Sequence, residues 1–261
     1  MNNQPIGVFD SGVGGLSILL EIQKLLPHET TLFVADQAYV PYGAKNREQL
    51  IDRVGRIMEF FEEKEVKAVV AACNTATVYT IDEMRERFKF PIIGTVPVVK
   101  TIASLTKTGK TAVFSTPATA KSEYLQSLIK KFAHDVEVKC IGGSNLEELV
   151  EEGKTDTKET IEILKKHLQP LVEDGVDAIA LGCTHYPFLR DEIERIVGKR
   201  VEVVDSGGAV ARRVKEVLTN EKLLASTKGI DVYYTTGEAE KFNLVASKLT
   251  KKKIEGLRIN L

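Results

Sequence analysis

The sequence predicts an α/β fold of two similar domains that face a shared cleft, with mostly parallel sheets sandwiched by helices. Short β-branched and apolar runs alternate with longer amphipathic segments along the 261 residues. Such alternation is typical of parallel strands connected by helices. A weak internal repeat relates the first half of the chain to the second, and this repeat predicts two domains of similar fold.

The predicted strands are short, and several are apolar without alternation. That composition indicates strands with both faces covered. They are Ile6–Phe9, Thr31–Ala35, Ala68–Ala72, Pro91–Ile93, Thr111–Phe114, Val136–Cys140, Ala178–Leu181, Val201–Val204 and Asp231–Tyr234.

Two of the intervening segments show the helical period clearly. In Arg47–Lys64, and again in Lys158–Asp174, apolar residues recur every three or four positions. Each segment therefore predicts a helix that buries one apolar stripe.

The internal repeat joins two pairs of segments. Gly7–Gly12 resembles Ala112–Pro117, and Lys67–Thr75 resembles Asp177–His185, at similar offsets. Much of this similarity is strand hydrophobicity, which any α/β protein has, but the second pair also matches a cysteine with a cysteine.

The repeat also predicts domain boundaries. Residues 1–96 and 208–261 would form the first domain, carrying Cys73, and residues 97–207 the second, carrying Cys183. A Pro-bounded turn and a Gly-rich turn suit the two crossing points, and no long linker separates the halves.

Composition argues against several classes of partner. The formal net charge is −1, so no basic field favours nucleic acid or an anionic membrane. The N-terminal residues show no targeting pattern, and the apolar runs are too short to span a bilayer. Three cysteines, an odd number, favour free thiols in a reducing cytoplasm over a disulfide framework.

The residues with reactive or polar side chains lie where predicted strands end. Ligands of parallel α/β sheets bind beyond the carboxyl ends of the strands, next to helix N-termini that favour anions. Reactive or small polar residues stand there: Asp10-Ser11, Cys73-Asn74-Thr75, Ser115-Thr116, Cys183-Thr184-His185 and Asp205-Ser206.

Cys73 and Cys183 occupy equivalent places in the repeat. A single cysteine there is readily explained as a small hydrophobe. Two at matched turns indicate paired chemistry instead. Inverting an α-carbon means removing a proton from one face and returning one to the other, and two opposed thiols do this directly. An unperturbed thiol pKa of about 8.5 keeps both protonation states accessible.

Neighbouring residues are candidates to assist. Asp10 could exchange a proton with Cys73, or could simply cap a helix. His185 could do the same for Cys183, or could be an ordinary loop histidine. Five small polar residues could bind a substrate carboxylate or ammonium, although each alone is more often a helix cap; they are Ser11, Asn74, Thr75, Thr116 and Thr184.

Other cofactor sites are weakly indicated. Gly12–Gly15 follows the first strand but lacks the third glycine of a dinucleotide loop. A zinc site built from Cys73, Cys183 and His185 lacks a close ligand pair and a fourth ligand. A redox role for the thiols is disfavoured because no Cys-x-x-Cys motif is present, and Cys140 is predicted to be a core residue.

Together these segments resemble the glutamate racemases of the aspartate/glutamate racemase superfamily. The resemblance runs from Ile6 to about Asp205, in the family's order. The motifs that carry it are Asp10–Gly15, Pro41–Gly43, Cys73–Thr77, Gly182–Pro187 and Asp205-Ser206.

The resemblance implies two α/β domains facing across an active site, usually in a homodimer. It implies interconversion of L- and D-glutamate without pyridoxal phosphate or metal, with the D-glutamate supplied to peptidoglycan synthesis. A racemase for aspartate or another small acidic amino acid is the close alternative. A nonenzymatic module that binds an anionic metabolite at the same turns is the alternative from a different class.

The resemblance also assigns roles. Cys73 and Cys183 would be the catalytic thiols, assisted by Asp10 and His185 respectively. A glutamate in the middle of the chain also assists, and Glu152 is preferred here over its neighbour Glu151. Besides Asp10 and His185, the substrate contacts would be Ser11, Tyr42, Gly43, Asn74, Thr75, Thr116 and Thr184.

Overall fold

The computed structural model describes residues 2–261. Its strands, in chain order, are β1 (Ile6–Asp10), β2 (Thr31–Ala35), β3 (Ala68–Ala71), β4 (Ile92–Gly94), β5 (Lys110–Ser115), β6 (Glu137–Gly142), β7 (Ala178–Leu181), β8 (Glu202–Asp205), β9 (Asp231–Thr235) and β10 (Gly256–Arg258). Its helices are α1 (Leu16–Leu25), α2 (Arg47–Glu63), α3 (Asn74–Arg87), α4 (Val99–Leu105), α5 (Pro117–Ala120), α6 (Glu123–Phe132), α7 (Leu146–Glu151), α8 (Lys158–Glu173), α9 (Arg190–Val197), α10 (Gly207–Asn220) and α11 (Ala239–Thr250).

The chain divides into two compact units. The first comprises the residues up to Thr95 together with Gly207–Leu261, and the second is Val96–Ser206. In the first unit the strand order is β10-β9-β2-β1-β3-β4, and in the second it is β6-β5-β7-β8. The strand pairings within residues 2–261 are parallel. The predicted α/β class with parallel sheets is therefore confirmed.

The two sheets share a local strand order. In the first unit β1 lies between β2 and β3, with β4 beyond β3; in the second unit β5 lies between β6 and β7, with β8 beyond β7. The same sequence of crossovers in both units supports the internal repeat. The strands that precede Cys73 and Cys183, β3 and β7, hold equivalent positions in this order.

Local sequence explains where α2 begins and which of its faces is buried. The long helix α2 begins after Asn46, whose side chain accepts a hydrogen bond from the backbone N–H of Gln49 while the Gln49 side chain accepts one from the Asn46 N–H. This capping box satisfies two N-terminal donors. The helix then buries Leu50, Val54 and Phe61 along one stripe.

The predicted strand and helix positions are confirmed to within two residues at each end. The strand β10 was not predicted, because three residues at a sheet edge carry too little pattern to recognise. Cys140, predicted to be a core residue, is half-buried on the edge strand β6 and packs against a hydrophobic core cluster. In the part of the chain that the structure describes, no helix has the length and apolarity needed to cross a membrane.

A buried ion pair lies in the first unit. Lys67, just before β3, pairs with Glu29, just before β2, and both side chains are almost completely buried. The Lys67 ammonium also donates to the backbone carbonyl of Asn2 at 2.7 Å, and Glu29 accepts from the Ala225 N–H at 2.8 Å. The pair thus joins four segments of the unit.

Replacing Lys67 by Met should cost about 3–5 kcal/mol of unfolding free energy, because it leaves the Glu29 carboxylate buried without its cation. The matched control is Arg56→Met, which breaks an exposed pair with Asp52 and should cost at most about 0.5 kcal/mol. Urea unfolding followed by circular dichroism measures both. Equal losses in the two variants would contradict this role for the buried pair.

Candidate active site

Cys73 lies at the turn between β3 and α3. It is the N-cap residue of α3 and is only 5% exposed. The backbone N–H groups of Ala76 and Ser11 donate to its sulfur, and the Ser11 hydroxyl lies 4.0 Å from it. Because a helix N-terminus offers free N–H groups, this turn can stabilise negative charge on the sulfur or on a ligand next to it.

Asp10 ends β1, the neighbour of β3, and hydrogen-bonds the Cys73 thiol. Its side chain is fully buried and accepts a hydrogen bond of 2.5 Å from the Gly15 N–H. A Cβ atom at Gly15 would lie 2.6 Å from the Asp10 Cβ. Only glycine therefore permits this close approach, which fixes the carboxylate beside the thiol.

The surroundings of Cys73 favour its neutral form. Burial and the negative charge of Asp10 raise the thiol pKa well above its ordinary value, and the N–H donors of Ala76 and Ser11 offset this only in part. These influences favour the protonated Cys73 thiol, hydrogen-bonded to the Asp10 carboxylate.

Tyr42 is held by a network that sequence reasoning missed. Its hydroxyl donates to Asp36 at 2.7 Å, and its ring is 2% exposed. Arg53 binds both oxygens of the same carboxylate, and the Thr236 hydroxyl donates to it at 2.8 Å. Asp36 and Arg53 are distant in sequence and belong to different elements, so no local pattern could have paired them. Gly43, the next residue after Tyr42, is exposed.

Three polar residues expected to bind substrate are buried around the Cys73 turn: Ser11, Asn74 and Thr75. The Asn74 side-chain oxygen makes no hydrogen bond with any described residue. Because a buried acceptor without a partner costs free energy, this oxygen is suited to accept a hydrogen bond from a ligand such as an ammonium group.

Cys183 occupies the corresponding turn of the second unit, two residues beyond β7, and is also 5% exposed. Its sulfur lies 3.6 Å from His185 Nδ1 and 3.9 Å from Glu147 Oε1. Sequence analysis had expected His185 here, and Glu147 is an addition.

The acidic partner of His185 is Glu151. Its Oε1 lies 2.7 Å from His185 Nε2, and both side chains are buried. Glu147 and Glu151 stand four residues apart on α7 and so share one face of the helix. Glu152 is the C-cap residue, exposed and paired with Lys154 at 2.6 Å. The structure thus differs from the sequence-based preference for Glu152, since one further residue turns the side chain about 100° away.

Opposing influences act on the protonation of this cluster. Burial, then the charge of Glu147, raises the pKa of Cys183 to about 11 despite the hydrogen bond with His185. Burial lowers the pKa of His185, but its hydrogen bonds with Cys183 and Glu151 outweigh that and raise it well above 6.5. A raised pKa stabilises the fold below about pH 6.5, and the contribution is lost as pH rises through the folded-state value.

The two remaining threonines differ in what they do. Thr116 follows β5 and is the N-cap of α5, where its hydroxyl accepts from the Thr119 N–H at 3.2 Å. Thr116 therefore has the helix-capping role that was the alternative to substrate binding. It is buried at the end of β5. Thr184 is buried beside Cys183.

Metal-binding side chains also meet in the second unit. The ligand atoms of Glu147, Cys183 and His185 all lie within 4.8 Å of one another. This set differs from the zinc ligands considered from sequence, because Glu147 takes the place of Cys73.

Taken together, fold and site define an α/β protein with a buried thiol turn in each of two related units, each beside its own proton-accepting side chains. The model of the Asp/Glu/Hydantoin racemase family matches residues 14–214. The chain belongs to that family.

Within it, the chain is similar to glutamate racemases. The glutamate racemase of Deinococcus radiodurans is 44% identical over 238 residues, which cover 90% of this chain and 82% of that protein. A glutamate racemase isoform from Bacillus anthracis has a similar structure, with a TM-score of 0.89, 30% identity, and coverage of 100% of this chain and 99% of that one. The Escherichia coli glutamate racemase in complex with L-glutamate and the activator UDP-MurNAc-Ala gives a TM-score of 0.87 at 32% identity, covering 98% and 97% of the two chains.

Replacing Glu151 by Gln should lower the pKa of His185, because the amide removes the charge that favours the imidazolium. The matched control Glu152→Gln should leave that pKa unchanged. NMR titration of the imidazole signals measures it, and the chain has only four histidines to assign. A shift in the Glu152 variant but not in the Glu151 variant would overturn the pairing described here.

Proposed function

We propose that this protein is a glutamate racemase, which interconverts L- and D-glutamate by a two-base mechanism with Cys73 and Cys183. The observation that carries the proposal is the pair of buried thiols at equivalent strand ends, each hydrogen-bonded to its own acid–base partner. Membership of the racemase family and similarity to glutamate racemases over most of the chain support it. So does the L-glutamate in the complex of the E. coli relative.

In the proposed reaction, one cysteine removes the α-proton as a thiolate, and the other donates a proton to the opposite face as a thiol. A thiol with a raised pKa becomes a strong base once it loses its proton, which suits abstraction from a weakly acidic carbon. For these proton transfers each sulfur must come within about 3–3.5 Å of the α-carbon.

The supporting residues have distinct roles. Asp10 receives the proton of Cys73 and returns it. As an imidazolium, His185 gives a proton to the Cys183 thiolate and later takes it back. Glu151 holds the imidazole through its hydrogen bond of 2.7 Å. Glu151 thereby takes the assisting role that the family resemblance first gave to Glu152.

Substrate binding is assigned to polar groups at the strand ends. The Asn74 oxygen, buried and without a partner among the described residues, would accept from the substrate ammonium. The N–H groups and hydroxyls at the two turns would bind the carboxylates. The residues assigned to substrate binding are Asp10, Ser11, Tyr42, Gly43, Asn74, Thr75, Thr116, Thr184 and His185.

The proposal extends to the cell. We expect catalysis without pyridoxal phosphate or metal, in a cytoplasmic homodimer, with the D-glutamate used for peptidoglycan synthesis. These expectations rest on the family resemblance.

The enzyme incubated with L-glutamate in D2O, with no cofactor added, should form D-glutamate that carries deuterium at the α-carbon. Early in the reaction the remaining L-glutamate should stay largely unlabelled, because the base on its side of the α-carbon returns only the proton that it has just removed. The opposite base delivers deuterium to the D product. Chiral chromatography with mass spectrometry measures both pools. Aspartate, run in parallel, tests the alternative substrate.

Cys73→Ala and Cys183→Ala should each lower kcat by at least about 10²–10⁴-fold, the usual contribution of a positioned acid or base. Cys140→Ala is the matched control and should retain activity, since this thiol lies on the edge strand β6. Unlabelled D-glutamate, or full turnover in Cys73→Ala or Cys183→Ala, would contradict the two-base mechanism.

A further inference from the structure

We propose that Glu147, Cys183 and His185 bind a divalent cation of the zinc class, and that the bound cation inhibits the enzyme by occupying the Cys183 sulfur. The binding site is inferred from the geometry of the second unit alone. The inhibition rests on the proposed racemase function.

The three ligand atoms lie within 4.8 Å of one another, and the two separations from the sulfur are close to those of a tetrahedral metal site. The Cys183 sulfur lies 3.6 Å from His185 Nδ1 and 3.9 Å from Glu147 Oε1. Zinc bonds of about 2.0–2.3 Å at tetrahedral angles give ligand separations of about 3.5 Å. Small side-chain rotations would therefore close the site around an ion.

The histidine is also oriented as a metal ligand. Its Nε2 lies 2.7 Å from Glu151, so the Nε2 proton can be donated to that carboxylate, while Nδ1 faces the sulfur and can coordinate a metal once its own proton has left. A carboxylate behind a metal-binding histidine fixes the tautomer and the ring orientation. Glu151 stands in that position, outside the set of ligands.

Charge and ligand type select the ion. Binding displaces the thiol proton and the Nδ1 proton of the imidazolium to solvent, leaving a thiolate, a carboxylate and a neutral imidazole around a dication. Sulfur and nitrogen ligands favour zinc over magnesium or calcium, which prefer oxygen. Three protein ligands leave a fourth position open to water or to a substrate carboxylate.

The consequence for catalysis follows from the sulfur. A coordinated thiolate has lost its proton and shares its lone pair with the metal, so Cys183 can neither donate a proton nor remove one. Activity should fall as the metal occupies the site and return when a chelator removes it.

Cobalt(II) is the probe for binding, because a cobalt–thiolate bond gives a charge-transfer absorption in the near ultraviolet. Titrating the metal-free full-length protein with Co²⁺ should produce this band at one equivalent, and added Zn²⁺ should abolish it. Cys183→Ala should lose the band, and Glu147→Gln should weaken Co²⁺ binding at least tenfold. The matched controls Glu148→Gln and Cys73→Ala should bind Co²⁺ as the unchanged protein does.

Activity is measured separately. Zn²⁺ should inhibit racemisation at the concentration at which it displaces Co²⁺, and EDTA should restore turnover. Absence of the band, its persistence in Cys183→Ala, or equal affinities of the Glu147 and Glu148 variants would overturn the site. Since Cys73→Ala should be inactive yet still bind Co²⁺, failure of the metal site and failure of the racemase proposal remain distinguishable. If Cys183→Ala does not fold, as judged by circular dichroism, the Glu147 and Glu148 variants still decide the matter.

Discussion

The site is governed by one constraint, which is that a thiol and a carboxylate lie together in a buried, poorly solvated place. A thiolate and a carboxylate in contact repel each other strongly where water is scarce, so one of the two groups keeps a proton. In the first unit the Gly15 N–H binds Asp10, so the negative charge rests on the carboxylate and Cys73 keeps its proton. In the second unit His185 lies between Cys183 and Glu151 and supplies a compensating positive charge.

The parallel sheets explain how such pairs form at all. Neighbouring parallel strands end at the same sheet edge, so β1 and β3 bring Asp10 and Ser11 next to Cys73. Ser11 and Cys73 are 62 positions apart in the sequence. Strand ends alone do not complete the second site. Its two carboxylates come from α7, where spacing by four residues turns Glu147 and Glu151 toward Cys183 and His185.

The strand ends and the helix α7 differ in how much of the site the sequence could predict. Cys73 and Cys183 follow apolar runs directly, so their place at a strand end was readable from local pattern. Glu151 was harder to distinguish from Glu152, because the choice depends on the angular position of a six-residue helix that has little periodicity of its own. Spacing by four from Glu147 was the available signal. The network of Asp36 with Arg53 and Tyr42 left no local signal, since a contact between a strand end and a helix is fixed only by tertiary packing.

Under the proposed function, two thiols with different neighbouring residues must have similar proton affinities. L- and D-glutamate have equal free energies in solution, so no arrangement of residues alters the equilibrium constant of their interconversion. Within a protein of L-amino acids, however, the two faces of the α-carbon meet different surroundings, and their bases need not have the same neighbours. What must be balanced is proton affinity, because a large difference would trap one protonation state and slow one direction. Here both thiol pKa values are raised by the same two causes, burial first and then a carboxylate, which is Asp10 for Cys73 and Glu147 for Cys183. Different residues in the two halves of the repeat thus shift the pKa values of the two thiols in the same direction.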